Sequence, residues 1–345
     1  MSVNMQVSAL TGVLRANFFQ AWKETAAPAK SDAFVSVLPS TTRIENYVNW
    51  GPVNPLTEWD GSNDYGTSGS FIYSIENKPY RAAHMIRLLD MDDDQSGGLA
   101  QKPKELSVKA KLLPQREVLK CLMAGTNNGV FATDGSSYGL TFDGLAMFAN
   151  RTGTGATPGF GIGNNSLTQY TSASHAGGDN NTYNLFGIYH GPGTESLKPL
   201  IWQQRSGPDF RTNVGSDQSD ESMQCRMWAT IRGRAAYGMW FNSVYIQFLG
   251  LPNQAEMHDV FAKIEAAFRS FQMPKARAVT FGEYVHEQSE FGKNSLTYAG
   301  SSGLAEVLRT SLDNQWSAQQ IGTNTVATTN RYANSASWLV SNFLN

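Results

Sequence analysis

Between Ala26 and Ser70 the chain reads AAPAKSDAFVSVLPSTTRIENYVNWGPVNPLTEWDGSNDYGTSGS, with prolines, glycines and aromatic residues but no sustained apolar period. Such a stretch has no stripe of its own to bury, and ordering its backbone costs about 1–2 kcal/mol per residue. It can be held only by lying on something else. The sequence therefore predicts an extended arm rather than a self-contained domain. The chain length of 345 residues leaves room elsewhere for two average domains, or one large one, with a sizeable core.

The flanking segments are better patterned. Leu10, Val13, Leu14, Phe18, Ala21 and Trp22 recur at helical spacing and predict a short amphipathic helix over 6–24. SFIYSI and YRAAHMIRLL are joined by ENKP. Within the second, Tyr80, Ala82, His84, Ile86 and Leu88 alternate with Arg81, Ala83, Met85 and Arg87. Period two around a short polar turn predicts a β-hairpin, and a hairpin standing off a domain is marginal without a partner surface.

Next comes LLDMDDDQSGG, with four aspartates in five positions. As a calcium loop starting at Asp92 it offers Asp92, Asp94, Ser96 and Gly97, but the twelfth place is Pro103, which has no carboxylate to close the shell. An acidic turn ahead of a helix is favoured instead, because the helix N-terminus is electropositive. That helix carries Leu106, Ala110, Leu113, Val118 and Leu122. Pro114 is expected to kink or divide it, and Gly125 to stop it. Residues 126–193, rich in Gly, Asn, Ser and Thr, read as long surface loops without a phosphate-binding fingerprint.

LKPLIWQQRS and AAYGMWFNSVYIQFLG read as strands. Asn253 with Glu256 three residues on forms a capping box for a helix whose stripe is Met257, Val260, Phe261, Ile264, Phe268 and Phe271, ended by Pro274. A further helix is expected over roughly 303–316. TNTVATTNRYANSASWLVSNFLN closes the sequence as turn and strand.

Composition narrows the function. The formal net charge is −2, which argues against sequence-specific reading of nucleic acid. Charged residues are 16% of the chain, against roughly 25% in ordinary soluble domains. A neutral polar surface is easier to desolvate than a charged one, so this balance suits a chain that buries its exterior against neighbours. An ordinary loop-rich β protein has a similar composition. Cys121 and Cys225 are far apart and form neither a zinc motif nor a disulfide framework. No secretory leader and no stretch of about 20 apolar residues is present, so a soluble chain in a reducing cytoplasm is expected.

The sequence carries no motif of catalysis or metal binding. His84, His175, His190, His258 and His286 are scattered, with no HExxH pair, no GxSxG elbow and no recognisable nucleophile context for either cysteine. No catalytic, cofactor-binding or metal residues are assigned, and an enzyme is not expected.

The order of elements, arm then hairpin then long helix then mixed α/β body, resembles the major capsid protein of tailed phages of the Hong Kong 97 type. In particular it is similar to the Mu-like phage major head subunit family. The likeness is carried by TTRIENYVNWGPVNPLTEWDG (Glu45, Tyr47, Trp50, Gly51, Glu58, Trp59 and Gly61), by YSIENKPYRAAHMIRLLDMDDDQSGG, by LKCLMAG, by TDG at 133–135, and by KPLIWQQRSGP with RGRAAYGMW. One feature departs from the family: there the KPLIWQQR block and its Tyr-Gly partner close the chain, whereas here more than a hundred residues follow. Either a C-terminal segment is added or the body is connected in another order.

The resemblance implies an α+β fold. Residues 1–48 would be an N-terminal arm and 49–98 an extended E-loop hairpin lying across an adjacent subunit. Residues 99–126 would hold the spine helix of a peripheral domain, 127–253 a β-rich peripheral and axial body with Gly-rich loops, and 254–345 a helix plus an axial-like segment. It implies a shell of hexamers and pentamers around double-stranded DNA, built in the host bacterial cytoplasm and present in the virion. The partners would be a portal protein and possible scaffold and decoration proteins, with no membrane. An encapsulin-like compartment of the same fold and a soluble β-rich binding module stay open as alternatives. Residues expected at contacts between subunits are Trp50, Trp59, Arg81, Arg87, Asp90, Asp92, Asp93 and Asp94.

Overall fold

Two sheets, each backed by a long helix, share a continuous apolar core. The computed structural model describes residues 3–25, 32–48, 61, 72–87, 90, 97–153, 161–167, 170–171, 181–192, 194, 198–213, 224–274, 281–286, 291–321 and 324–345. In chain order, helix α1 (Val3–Glu24) is followed by strands β1 (Val35–Pro39), β2 (Ile44–Val48), β3 (Ile72–Glu76) and β4 (Lys78–Arg87). Helix α2 (Lys102–Ala124) leads to the short strands β5 (Asn150–Arg151), β6 (Gly163–Asn164) and β7 (Tyr170–Thr171). Then come β8 (Thr182–Tyr189), β9 (Leu200–Thr212), β10 (Gln224–Tyr237), β11 (Ser243–Leu249) and helix α3 (Gln254–Ser270). The last part holds β12 (Gln272–Pro274), β13 (Phe281–Tyr284), β14 (Leu296–Ser301), helix α4 (Ala305–Leu312), β15 (Trp316–Ile321), β16 (Asn324–Thr329) and β17 (Ser337–Ser341).

The first sheet runs β1-β9-β10-β4, with β1 parallel to β9 and the other pairs antiparallel. One face of it carries Cys225, Met227, Ala229, Ile231 and Ala235 of β10 under helices α2 and α1. Phe18 of α1 stacks on Phe210 of β9 at 4.7 Å between ring centroids. The second sheet runs β17-β14-β8-β11-β7. Helix α3 lays Met257, Val260, Phe261, Ile264 and Phe268, all buried, into the same core. Each such side chain contributes about 1.5–3 kcal/mol of transfer free energy. Gly187 in β8 allows the close approach, since a Cβ there would lie 2.5 Å from Ile264 Cγ2. The capping box at Asn253 is present in full: Asn253 Oδ1 accepts from Glu256 N at 3.0 Å and Glu256 Oε2 accepts from Asn253 N at 2.8 Å.

Several expectations need correction. The strands around ENKP exist, but they do not pair with each other. A single residue, Asn77, separates β3 from β4, too few to reverse the chain, since the tightest common hairpin uses a two-residue loop. Instead β3 pairs with β2, and β4 with β10. The supposedly aperiodic arm therefore supplies β2, and also β1, which is hydrogen-bonded into the body sheet. Pro114 does not divide α2, which is assigned as helix from Lys102 to Ala124. Buried Ala110, Leu113, Val118, Leu119 and Leu122 on both sides of the proline pack on one surface and hold the helix together.

Gly125 does end α2, but with a right-handed φ of −60°. Glycine is required there by space, because a Cβ would lie 2.7 Å from Met147 Cβ. The segment 126–193 is not all loop: its β8 is the central strand of the second sheet, buried from Leu185 to Tyr189. The C-terminal third is no appendage either, because β14 lies between β8 and β17 in that same sheet.

One buried group makes the second half of the core sensitive to acid. His286 is 2% exposed, its Nε2 is 3.2 Å from the Phe241 carbonyl, and its ring lies 4.2 Å from that of Tyr189 and 5.5 Å from that of Phe268. Burial lowers its pKa to about 4. The unfolded chain takes up the proton near pH 6.5 and the folded chain near pH 4, so stability is full above pH 6.5 and falls as pH drops to 4. The loss across that window is about 3 kcal/mol. Chemical denaturation from pH 7 to pH 4 should show His286→Phe losing less stability than the natural chain over this interval; parallel pH profiles would disprove the assignment.

Candidate functional site

Strands β2 and β3 form a two-stranded ribbon in the register Ile44↔Glu76 through Val48↔Ile72, with residues 49–71 leading from one to the other. The base of this ribbon is fixed by a polar knot. Glu45 Oε1 accepts from Thr41 N at 2.7 Å, Thr42 N at 3.0 Å and Ser40 Oγ at 3.0 Å. The backbone N–H groups of Thr42 and Thr41, with the Ser40 hydroxyl adding to them, hold the Glu45 pKa at about 2. Just past the opposite strand, Asn77 Nδ2 donates to Ser40 Oγ at 2.6 Å and to the Thr42 carbonyl at 2.9 Å. Arg43 and Glu76 close the outer side with a 2.8 Å ion pair, exposed and therefore worth at most about 1 kcal/mol.

The ribbon is also seated on the outer face of the first sheet. Tyr73 and Ile75 are buried against Ile201 and Ala236, a small cluster separate from the main core. Tyr47 Oη donates to Gln203 Oε1 at 2.8 Å, and Gln203 Nε2 donates to the Ile75 carbonyl at 3.3 Å. Burial and the nearby Glu45 carboxylate raise the Tyr47 pKa to about 12. Beneath, Glu117 of α2 is 4% exposed and accepts from Tyr80 Oη at 3.1 Å and Tyr138 Oη at 2.9 Å. Burial, then the Glu117 charge, pushes both phenols well above their ordinary range. This carboxylate ties the start of β4 to the long helix. The ribbon is thus aimed by the body, while Ile44 and Ile72 at its two ends are 48% and 67% exposed.

The residues expected at contacts divide as follows. Arg81 and Arg87 stand exposed on β4, and the Arg81 guanidinium lies 4.7 Å from the Trp228 ring centroid, a cation–π contact. Asp90 is exposed. Trp50, Trp59, Asp92, Asp93 and Asp94 lie outside the described residues. Missed altogether were Ser40, Glu45 as an anchor, Asn77 and Glu117. The run STTRIE carried the available signal, since Ser and Thr hydroxyls and amides close to a Glu favour a local turn that the carboxylate can cap.

Among the described residues no group of three or more His, Cys, Asp or Glu side chains is placed to hold a metal ion. No described helix is long and apolar enough to cross a membrane. Cys121 and Cys225 are free and buried, and burial holds the Cys225 thiol at about 11, so it stays protonated at neutral pH. The described residues form an open groove of ≈ 340 Å³ beside α2 between Leu112 and Phe343, and another of ≈ 650 Å³ near His190 and Trp338. In the second, His190 Nε2 lies 2.9 Å from Thr297 Oγ1. The ribbon and the exposed strand faces beside it present surfaces.

Comparison with known proteins agrees with this. The family model of the Mu-like prophage major head subunit gpT matches residues 7–269. The chain is 25% identical over 224 residues to the major capsid protein of Escherichia phage Mu, covering 64% of this chain and 67% of that one. It is 28% identical over 218 residues to the Mu-like prophage FluMu major head subunit of Haemophilus influenzae, covering 62% and 65%. In fold it is similar to the chain of the bacteriophage JBD30 capsid, with TM-score 0.64, 16% identity and coverage of 93% and 92%. For the JBD30 procapsid the TM-score is 0.65 at 20% identity, with 100% of both chains covered, so residues 270–345, beyond the family match, belong to the shared fold. With a ribbon seated on a two-sheet body and a family match over residues 7–269, the chain belongs to the Mu-like prophage major head subunit family, the structural protein of a phage head, with the capsid fold of the Hong Kong 97 type.

Proposed function

We propose that this chain assembles into the hexamers and pentamers of an icosahedral shell that encloses double-stranded DNA, meeting a portal protein and, where present, scaffold and decoration proteins. The observation that carries this is the ribbon. Its base is locked by Glu45, Asn77 and Tyr47, while Ile44 and Ile72 are left exposed. An exposed pair of isoleucines on a rigidly aimed ribbon is explained by a neighbour that covers it. In this reading residues 1–48 are the arm, 49–98 include the E-loop that lies across the adjacent subunit, and α2 is the spine of the peripheral domain. The chain acts by assembly and not by catalysis.

Electron microscopy of the purified protein tests it. Closed shells tens of nanometres across are expected, and a particle of the 37.8 kDa chain mass alone would refute the reading. Shells filled with protein cargo in place of nucleic acid would favour an encapsulin-like compartment. Trp50, Trp59, Arg81, Arg87, Asp90, Asp92, Asp93 and Asp94 are assigned to contacts between subunits. Exposed ion pairs contribute about 0–1 kcal/mol each, but a shell repeats them at every contact. Changing all four aspartates to asparagine should therefore lower the yield of shells and flatten its dependence on salt; an unaltered yield at every ionic strength would remove the aspartates from the interface.

A further inference from the structure

The face of the first sheet that carries the ribbon base continues into a row of arginines. Strand alternation and register place one on each of five successive rungs. Arg87 lies opposite Gln224, Arg226 opposite Met85, Arg211 opposite Trp228, Arg81 opposite Thr230, and Arg232 opposite Pro79. Same-face rungs are about 6.7 Å apart, so the row is roughly 27 Å long. All five arginines are exposed, as is Met85, and Trp228 sits at the centre with Arg81 over its ring. Among the described residues the ion pair on this face is Arg211 with Asp209, at 2.8 Å. Arg226 otherwise reaches Gln224 Oε1 at 3.3 Å. A chain of net charge −2 thus concentrates positive charge on one strip. Like charges a few ångströms apart repel, which favours a site that an anion completes.

We infer that this arginine ladder, centred on Trp228, is the docking surface for the aspartate-rich run Asp90–Asp94 of a second copy of the chain. The inference rests on the head-subunit reading and names the partner surface within it. Charge complementarity singles out the occupant, because that run holds four carboxylates in five residues and guanidinium forks bind carboxylates in two-pronged pairs. Position favours a protein over nucleic acid. The same face bears Tyr73 and Ile75 on Ile201 and Ala236, so the ladder is continuous with the base of the ribbon whose exposed isoleucines meet a neighbour. A basic strip and an acidic run on one chain suit head-to-tail contacts, which close into rings when the rotation allows.

The test uses the full chain in three forms: Arg87→Glu with Arg226→Glu, Asp92→Arg with Asp94→Arg, and all four changes together. Assembly is read by sedimentation and electron microscopy, with circular dichroism of the unassembled chain as the check on folding. Each double variant is expected to give at least tenfold fewer shells than the natural chain, and the fourfold swap to recover most of them. Mixing the two double variants should restore co-assembly at least fivefold over either alone. Double variants that assemble like the natural chain would overturn the inference while leaving the head-subunit reading intact. Recovery in the fourfold swap but not in the mixture would place the pairing within one chain and also overturn it. Normal shells that have lost only bound DNA would assign the ladder to phosphates instead. If the natural chain itself forms no shells, the reading beneath the inference fails as well. Should the glutamate variants misfold, Arg87→Gln with Arg226→Gln serves in their place, with an expected threefold loss of shells; an unchanged yield there would count against the ladder.

Discussion

Replacing Asp143 with alanine should lower the stability of the unassembled chain by about 3–5 kcal/mol, the usual loss when one partner of a buried ion pair is removed. Asp143 and Arg151 pair at 2.6 Å with side chains 0% and 1% exposed. The guanidinium also donates to the Ala146 carbonyl at 2.8 Å and the Thr141 hydroxyl at 3.2 Å, and lies 4.5 Å from the Trp240 ring centroid. Asn165 joins the set, taking the Ala149 N–H at 2.9 Å and giving its own N–H groups to the Met147 and Trp240 carbonyls. One charged group thus gathers the turns from Thr141 to Arg151 against the start of the second sheet. Without Asp143 the arginine charge stays in the core unpaired. The thermal midpoint should fall by on the order of 10 °C. Replacing both residues, Asp143→Leu with Arg151→Met, should not restore the natural value, because the carbonyls of Ala146 and Ala149 then lose the guanidinium as their donor. A midpoint within 2 °C of the natural chain for Asp143→Ala would show that water enters the site and solvates the arginine.

A second large effect concerns assembly and leaves the fold alone. Val48 and Ile72 are paired across the ribbon, so residues 49–71 can be replaced by Asn-Gly, the dipeptide suited to a two-residue hairpin loop. The anchors at Glu45, Asn77, Tyr47 and Gln203 remain. The shortened chain should keep its circular dichroism spectrum and lose only slight stability, while closed shells fall to undetectable levels at concentrations where the natural chain assembles fully. Shells of natural yield would mean that the ribbon tip takes no part in holding neighbours together. Loss of the folded monomer would mean that residues 49–71 support their own body.

The sequence was legible where a period or a local bond decided the structure. Helix α3 and its capping box followed from Asn253, Glu256 and an apolar stripe at helical spacing, because cap and stripe are both short-range features. The strands within SFIYSI and YRAAHMIRLL were also visible in their alternation. Their partners were not, since pairing depends on loop geometry: one intervening residue, Asn77, sends β3 to β2 and β4 to β10. Strand β8 was hidden because its buried stretch, Leu185 to Tyr189, is a continuous apolar run with no alternation. Pro114 was judged by what it does to an isolated helix, whereas buried neighbours on both sides keep α2 whole.

By itself, then, the sequence determined the neutral polar composition, the helices with their caps, the acidic run at Asp90–Asp94, and enough local pattern to resemble a head subunit. Only the tertiary structure decided which strands meet, how Glu45 and Asn77 lock the ribbon, why Arg151 can be buried, and that five arginines from three strands stand in one row. The physical reason is separation along the chain. Caps and periods are set by residues three or four apart, whereas Arg81, Arg211 and Arg232 become neighbours only once the whole sheet has formed.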